Sequence, residues 1–190
     1  MHKAALLIID MQNDFIKDDA PLRVVEAKTI IPNIRKVRET FRRHHLPVFH
    51  VVRVHRPDGC DVEISRRKIF AATPFAVEGT RGAQVIDELA PEEGEYLIRK
   101  TRMSAFFSTD LDLLLRSLEV ERVFVAGIQT PNCIRTTVFD AFACNYQTFL
   151  VDDAVGAANE EIHRSNCRDM ANIGTVMVKT AQVEDLLVHI

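Results

Sequence analysis

The stretch Val123-Phe124-Val125-Ala126-Gly127-Ile128-Gln129-Thr130-Pro131-Asn132-Cys133-Ile134 holds the reading of the fold in one line. Its first half is a continuous apolar run, the pattern of a strand covered on both faces rather than the alternation of a half-exposed one. Its second half changes chemistry. Thr130 is a good N-cap, Pro131 suits the first helical position, and Ile134, Val138, Ala141 and Phe142 continue as a helical stripe. A strand that runs directly into a helix start is the unit of a parallel α/β sheet. The same reading sets Cys133 in the first helical turn, where free backbone N–H groups and the helix dipole favour a thiolate and can hold an oxyanion.

Outward from this segment, further apolar runs occupy 4–9, 48–54, 96–98, 148–151 and 175–178. Helical stretches lie between them. Residues 30–45 carry Ile30, Ile34, Val37 and Phe41 on one stripe, and Leu111, Leu114, Leu115 and Leu118 make another. The alternation predicts a parallel sheet of about six strands with helices on both sides, a three-layer α/β/α sandwich, with 1–190 as a single domain. The least regular part, 55–80, contains the turn signal Pro57-Asp58-Gly59 and is long for a connection. It reads as a lid or an oligomer contact.

Composition narrows the function. Apolar residues make up 47% of the 190, enough for a sizeable core, and the formal net charge of -3 gives no electrostatic reason for a nucleic-acid surface. No apolar run approaches the roughly 20 residues of a membrane helix. Residues 4–9 end in Asp10 with no cleavage site after them, so a secretory leader is not expected. The four cysteines, Cys60, Cys133, Cys144 and Cys167, form no CxxC pair, and reduced thiols in a soluble cytoplasmic protein are expected.

Ligands of open parallel sheets sit outside the carboxyl ends of the strands, so the polar residue delivered at each strand end is the candidate. The first run ends in Asp10, followed by Met11-Gln12-Asn13-Asp14-Phe15, a turn without the glycines that a phosphate-binding loop needs. The run from Tyr96 ends in Lys100, and the quoted segment ends in Cys133. Cys144 lies roughly 16 Å along a helix from Cys133, too far to share its site. Asp152 and Asp153 follow the fifth run and read as a cap or loop carboxylate. No GxSxG elbow and no HExxH pattern is present. His50 and His55 fall on opposite faces of a regular strand, His44-His45 closes a helix, His163 reads as part of a polar helix face, and His2 and His189 are terminal.

Taken together, Ile9-Asp10-Met11-Gln12-Asn13-Asp14-Phe15, Gly79-Thr80-Arg81-Gly82-Ala83, Lys100-Thr101-Arg102-Met103-Ser104-Ala105-Phe106, the turn 127–133, Thr137-Val138-Phe139-Asp140-Ala141 and Asp152-Asp153-Ala154 resemble the isochorismatase-like cysteine hydrolases over nearly the whole chain. The resemblance implies a Cys-Asp-Lys triad at Cys133, Asp10 and Lys100. It also implies a cis peptide joining Ile128 and Gln129, and an oxyanion hole from the N–H groups of Gln129 and Cys133. It implies cleavage of a small amide, carbamoyl or ureido compound through a thioester, with no cofactor, in a homodimer or homotetramer. Substrate contacts are expected from Phe15, Arg53, Arg102 and Phe106, and Arg53, Arg56 and Arg102 are candidates for a substrate carboxylate. Nicotinamidases, which the chain also resembles, hold a metal through an Asp-x-His pair after the second strand. Here that stretch reads Arg53-Val54-His55, and no metal is expected.

Overall fold

The computed structural model describes residues 3–188. The strands are β1 (Lys3–Ile9), β2 (Val48–Arg53), β3 (Tyr96–Lys100), β4 (Val120–Ile128), β5 (Gln147–Gly156) and β6 (Val176–Val178). The α-helices are α1 (Asn13–Ile16), α2 (Ile31–Arg43), α3 (Arg67–Ala72), α4 (Leu111–Ser117), α5 (Arg135–Ala143), α6 (Glu160–Asn172) and α7 (Val183–Val188). All six strands are parallel, in the order β3-β2-β1-β4-β5-β6. The order reverses between β1 and β4, and this reversal opens a crevice at the carboxyl ends.

The continuous apolar runs divide by the period of two. Ala4, Leu6 and Ile8 of β1 pack in one core with Ile34, Val37 and Phe41 of α2 and Val183 and Leu187 of α7. Ala5, Leu7 and Ile9 pack in the other, with Leu111 and Leu115 of α4, Val138 and Ala141 of α5 and Met170 of α6. Both sides of β1 are therefore dry, and this produces the three layers. Among the described residues, no helix is long and apolar enough to cross a membrane.

Two helices return the chain to the sheet by the same device. His45 follows α2 at φ 52°, with its N–H bonded to Arg42 O and that of Leu46 to Phe41 O. Asn145 follows α5 at φ 66°, with Asn145 N–H on Phe142 O and Tyr146 N–H on Ala141 O. Each pair of bonds is a Schellman closure around a left-handed residue.

Some features differ from the sequence expectation. β5 runs on through Asp152 and Asp153 to Gly156, so these carboxylates lie within a strand. A register shift between Val125 and Gly127 accommodates them. Asp153 Oδ1 accepts from the N–H and hydroxyl of Thr180 at 2.8 Å each, and Asp152 pairs with Lys179 at 2.5 Å. The segment 55–80 is not an irregular loop. It contains a 3-10 turn (Ile64–Arg66) and α3, and His55 bridges to Val77.

Candidate active site

Four neighbouring strands end in reactive side chains, in the spatial order Lys100 (β3), Arg53 (β2), Asp10 (just past β1) and, after β4, the turn bearing Cys133. Asp10 takes φ 54° and turns the chain off the sheet, while its N–H still donates to Val51 O at 2.8 Å. Beside it, Gly127 sits opposite Ile9 at φ 112°, where a Cβ would stand 2.1 Å from Ile9 O. Only glycine allows β1 and β4 to approach this closely in that conformation.

The three residues of the expected triad meet. Lys100, with no exposed side-chain surface, donates from Nζ to Asp10 Oδ2 at 3.0 Å and to Arg102 O at 3.1 Å, and lies 3.4 Å from Cys133 Sγ. The other carboxylate oxygen, Asp10 Oδ1, is buried and makes no regular hydrogen bond among the described residues, though the Asp10 carboxylate acts on the Cys133 thiol. Arg53, 1% exposed, donates from Nη1 to Glu63 Oε1 at 2.6 Å and directs Nη2 at Cys133 Sγ from 3.8 Å.

The turn that presents Cys133 is not the α-helical start expected. Thr130–Ile134 forms a π turn capped by Gln129, and α5 begins only at Arg135. Thr130 is therefore inside the turn and not its cap. Its buried hydroxyl lies 3.1 Å from Gly156 O and 3.1 Å from His163 Nδ1. His163 belongs to this contact and not to a fully solvated face. The Ile128–Gln129 peptide is cis. Gln129 O accepts the N–H groups of Asn132 at 3.0 Å and Ile134 at 3.2 Å, which closes the turn.

The groups around the sulfur act on its proton in opposite directions. Burial pushes Cys133 up from the ordinary thiol range and the Asp10 charge adds to this, while Lys100 and Arg53 pull it back only in part. Burial also raises Glu63, but the hydrogen bond and charge of Arg53 outweigh it and hold this carboxyl below the usual range.

Asp10, Arg53 and Cys133 reach the floor of a cavity of about 420 Å³, within the usual range for small-molecule sites, and Lys100 lies behind them. Asp10, Phe15, Arg53, Gln129 and Cys133 line it, and Leu22, Val24, Ile69 and Phe75 form apolar walls. Arg102 and Phe106 do not line it. The Arg102 guanidinium donates to Asp61 O at 2.6 Å and Thr101 O at 3.1 Å, and the Phe106 ring packs on Tyr146 at 5.8 Å. Of the three arginines proposed for a carboxylate, only Arg53 lines the cavity. Arg66, which the sequence analysis did not single out, lines it too. Gln12 was also missed. It is fully buried, its Nε2 donates to Arg53 O and Ala83 O at 2.7 Å each, and its Oε1 accepts from Arg53 N at 2.8 Å.

The donor set near His55 does not fit a divalent ion. The His55 ring lies between Phe70 and Phe75, with Asp61 3.4 Å from Nδ1. Glu63 is committed to the Arg53 guanidinium, itself a cation. Among the described residues no three His, Cys, Asp or Glu side chains cluster as metal ligands.

A doubly covered parallel sheet with a thiol, a carboxylate and an amine meeting at its switch point defines the class: an α/β sandwich with a cysteine at the strand-order reversal. The Isochorismatase domain model matches residues 4–182, and the chain belongs to that family. A probable inactive nicotinamidase of Arabidopsis thaliana is 46% identical over 185 residues, covering 95% of this chain and 93% of the relative. N-carbamoylsarcosine amidase of Arthrobacter sp is 30% identical over 176 residues, 90% of this chain and 66% of that enzyme. The crystal structure of an isochorismatase family protein from Desulfovibrio vulgaris superposes with a TM-score of 0.95 at 41% identity, covering 99% of this chain and 100% of the other.

Proposed function

We propose that this chain is a cysteine-dependent hydrolase that cleaves the C–N bond of a small amide, carbamoyl or ureido compound and releases ammonia. The single observation that carries the reading is the contact of Cys133 Sγ with Lys100 Nζ at 3.4 Å, the same nitrogen that binds Asp10 at 3.0 Å, with Cys133 and Asp10 both lining a cavity. The buried Asp10 Oδ1 takes the thiol proton as sulfur attacks the carbonyl carbon. The oxyanion is held by the N–H groups of Gln129 and Cys133, donors of a kind worth about 2.7–4 kcal/mol each. Asp10 returns the proton to the leaving nitrogen, ammonia departs and a thioester remains. Water then adds, Asp10 takes its proton, and the acid leaves as sulfur is reprotonated. Lys100 orients Asp10 throughout. The cavity lining includes Arg23, Arg53 and Arg66 against the one carboxylate of Asp10, which favours an amide that also carries an acidic group.

A second reading is a silent family member, which the name of the Arabidopsis relative favours. One experiment separates the two. A panel of small amides and ureides, nicotinamide included, is screened for ammonia release with the native chain and Cys133→Ala. Release that Cys133→Ala abolishes while its thermal unfolding is retained supports the hydrolase. Turnover that survives the substitution, or no release from any compound, refutes it.

A further inference from the structure

The proton transfer proposed above moves a charge without creating one. Before it the negative charge is on Asp10, and after it on Cys133 Sγ. A cation equally close to both atoms leaves that equilibrium where it was, and only a cation nearer to sulfur drives it forward. Lys100 Nζ, at 3.0 Å from the carboxylate and 3.4 Å from sulfur, is shared and slightly favours the carboxylate. The Arg53 guanidinium is different. Its Nη2 points at sulfur from 3.8 Å, and among the described residues its guanidinium hydrogen bonds go to Cys133, Glu63 and Thr101 and not to Asp10, whose charge acts on it less than that of Cys133.

We propose that Arg53 is a further catalytic residue, the counterion that moves negative charge from Asp10 to the sulfur of Cys133, with Glu63 as the positioning residue that aims it. This rests on the hydrolase reading for its purpose but not for its measurement. The charged groups that face the sulfur are Asp10, Lys100 and Arg53, and Glu63 faces it through Arg53. Arg53 is nine-tenths or more buried and its other guanidinium nitrogen is fixed at 2.6 Å on Glu63, so the cation is aimed by the fold. The opposing forces on the thiol are of comparable kind: burial and Asp10 raise it, Lys100 and Arg53 lower it. Removing one of the two lowering charges therefore leaves sulfur protonated over a wider pH range. No bond is made or broken by Arg53 itself. The proton goes from Sγ to Asp10 Oδ1 and the electron pair stays on sulfur.

The test is the rate of Cys133 alkylation by iodoacetamide as a function of pH, read on the Cys133 peptide by mass spectrometry so that the other thiols do not contribute. Arg53→Met is expected to slow alkylation at mildly alkaline pH by about tenfold or more, a shift of at least about one pH unit, even though the smaller side chain widens access to sulfur. Arg53→Lys is expected to retain part of the rate. Glu63→Gln separates charge from scaffolding. It keeps an amide oxygen that can accept from Arg53 Nη1 and so hold its aim, but it removes one neutralising charge, so the rate is expected to hold or rise. If Arg53 served only to tie down the loop, Glu63→Gln and Arg53→Met would fall together. That result, or an unchanged profile in folded Arg53→Met or Arg53→Lys, overturns the proposal. Should Arg53→Met fail to fold, Arg53→Lys and Glu63→Gln still decide it. A slowed thiol in a chain that releases no ammonia would keep this inference and end the hydrolase reading.

Discussion

Replacing Gln12 with Met tests whether one buried amide holds the second strand tip in place. The amide makes three hydrogen bonds at 2.7, 2.7 and 2.8 Å, and two of them secure the backbone N–H and C=O of Arg53. Met has similar length and no strong donor or acceptor. The substitution strands the Arg53 N–H, the Arg53 carbonyl and the Ala83 carbonyl in a dry interior, at about 1–3 kcal/mol for each unsatisfied group. With some relaxation the sum is about 3–6 kcal/mol, a large part of the roughly 5–15 kcal/mol that keeps a domain folded. For a chain of this size that corresponds to a fall in Tm of about 6–24 °C. Urea unfolding with linear extrapolation gives the free energy directly. Gln12→Glu is the companion. One oxygen still accepts the Arg53 N–H, but the other faces two carbonyl oxygens unless it binds a proton. The folded variant therefore favours the protonated carboxyl, and its stability is expected to recover in part as pH falls. A loss below about 1 kcal/mol in Gln12→Met, within the range of ordinary surface changes, would refute the view that this amide braces the site.

Other expectations follow from the same geometry. Lys100→Met leaves the Asp10 carboxylate buried without its partner and should cost about 3–5 kcal/mol, read by urea denaturation, and should end ammonia release. Gly127→Ala drives a Cβ to 2.1 Å from Ile9 O at a φ of 112°. Strain and overpacking together should cost about 2–6 kcal/mol, and a midpoint like that of the native chain would show that β4 can move away from β1. Burial holds His55 below the ordinary imidazole range, helped by the Arg53 charge. Its unfolded form binds a proton more readily, so its contribution to stability is full above about pH 6.5 and falls as pH drops below that value toward the lowered one. His55→Leu should flatten this part of the stability curve, and an unchanged slope would count against it. Burial pushes Cys167 up to about 11, so its alkylation by iodoacetamide should become fast only in strongly alkaline solution.

The sheet was readable because both of its faces are covered: a strand buried on both sides shows as an unbroken apolar run, and every such run became a strand. β5 was read short because Asp152 and Asp153 interrupt its run, and the partners that explain carboxylates there, Lys179 for Asp152 and Thr180 for Asp153, are remote in sequence. That Asp10, Lys100 and Cys133 would come together was readable because each lies at or shortly beyond the carboxyl end of a strand. Arg102 was misplaced because sequence gives the distance to the strand end and not the direction of a guanidinium, which here turns to Asp61 O. Gln12 was invisible for a related reason. Its partners are 41 and 71 residues away, and nothing local marks an amide as a brace. Thr130 looked like a cap because Thr-Pro is a common helix start, but the hydroxyl is claimed by Gly156 and His163.

The row of strand tips from Lys100 to the Cys133 turn has a consequence for how such a site can diverge. Neighbouring strands repeat at about 4.7–4.9 Å because peptide groups bond across them, so the lateral spacing of these side chains comes from a backbone ruler that side-chain replacement cannot rescale. The connections leaving those tips are bound by no such measure. Lengthening or recomposing the 54–95 connection would redraw the walls of the cavity while the row of side chains beneath kept its dimensions, which lets one floor be inherited under many different ceilings.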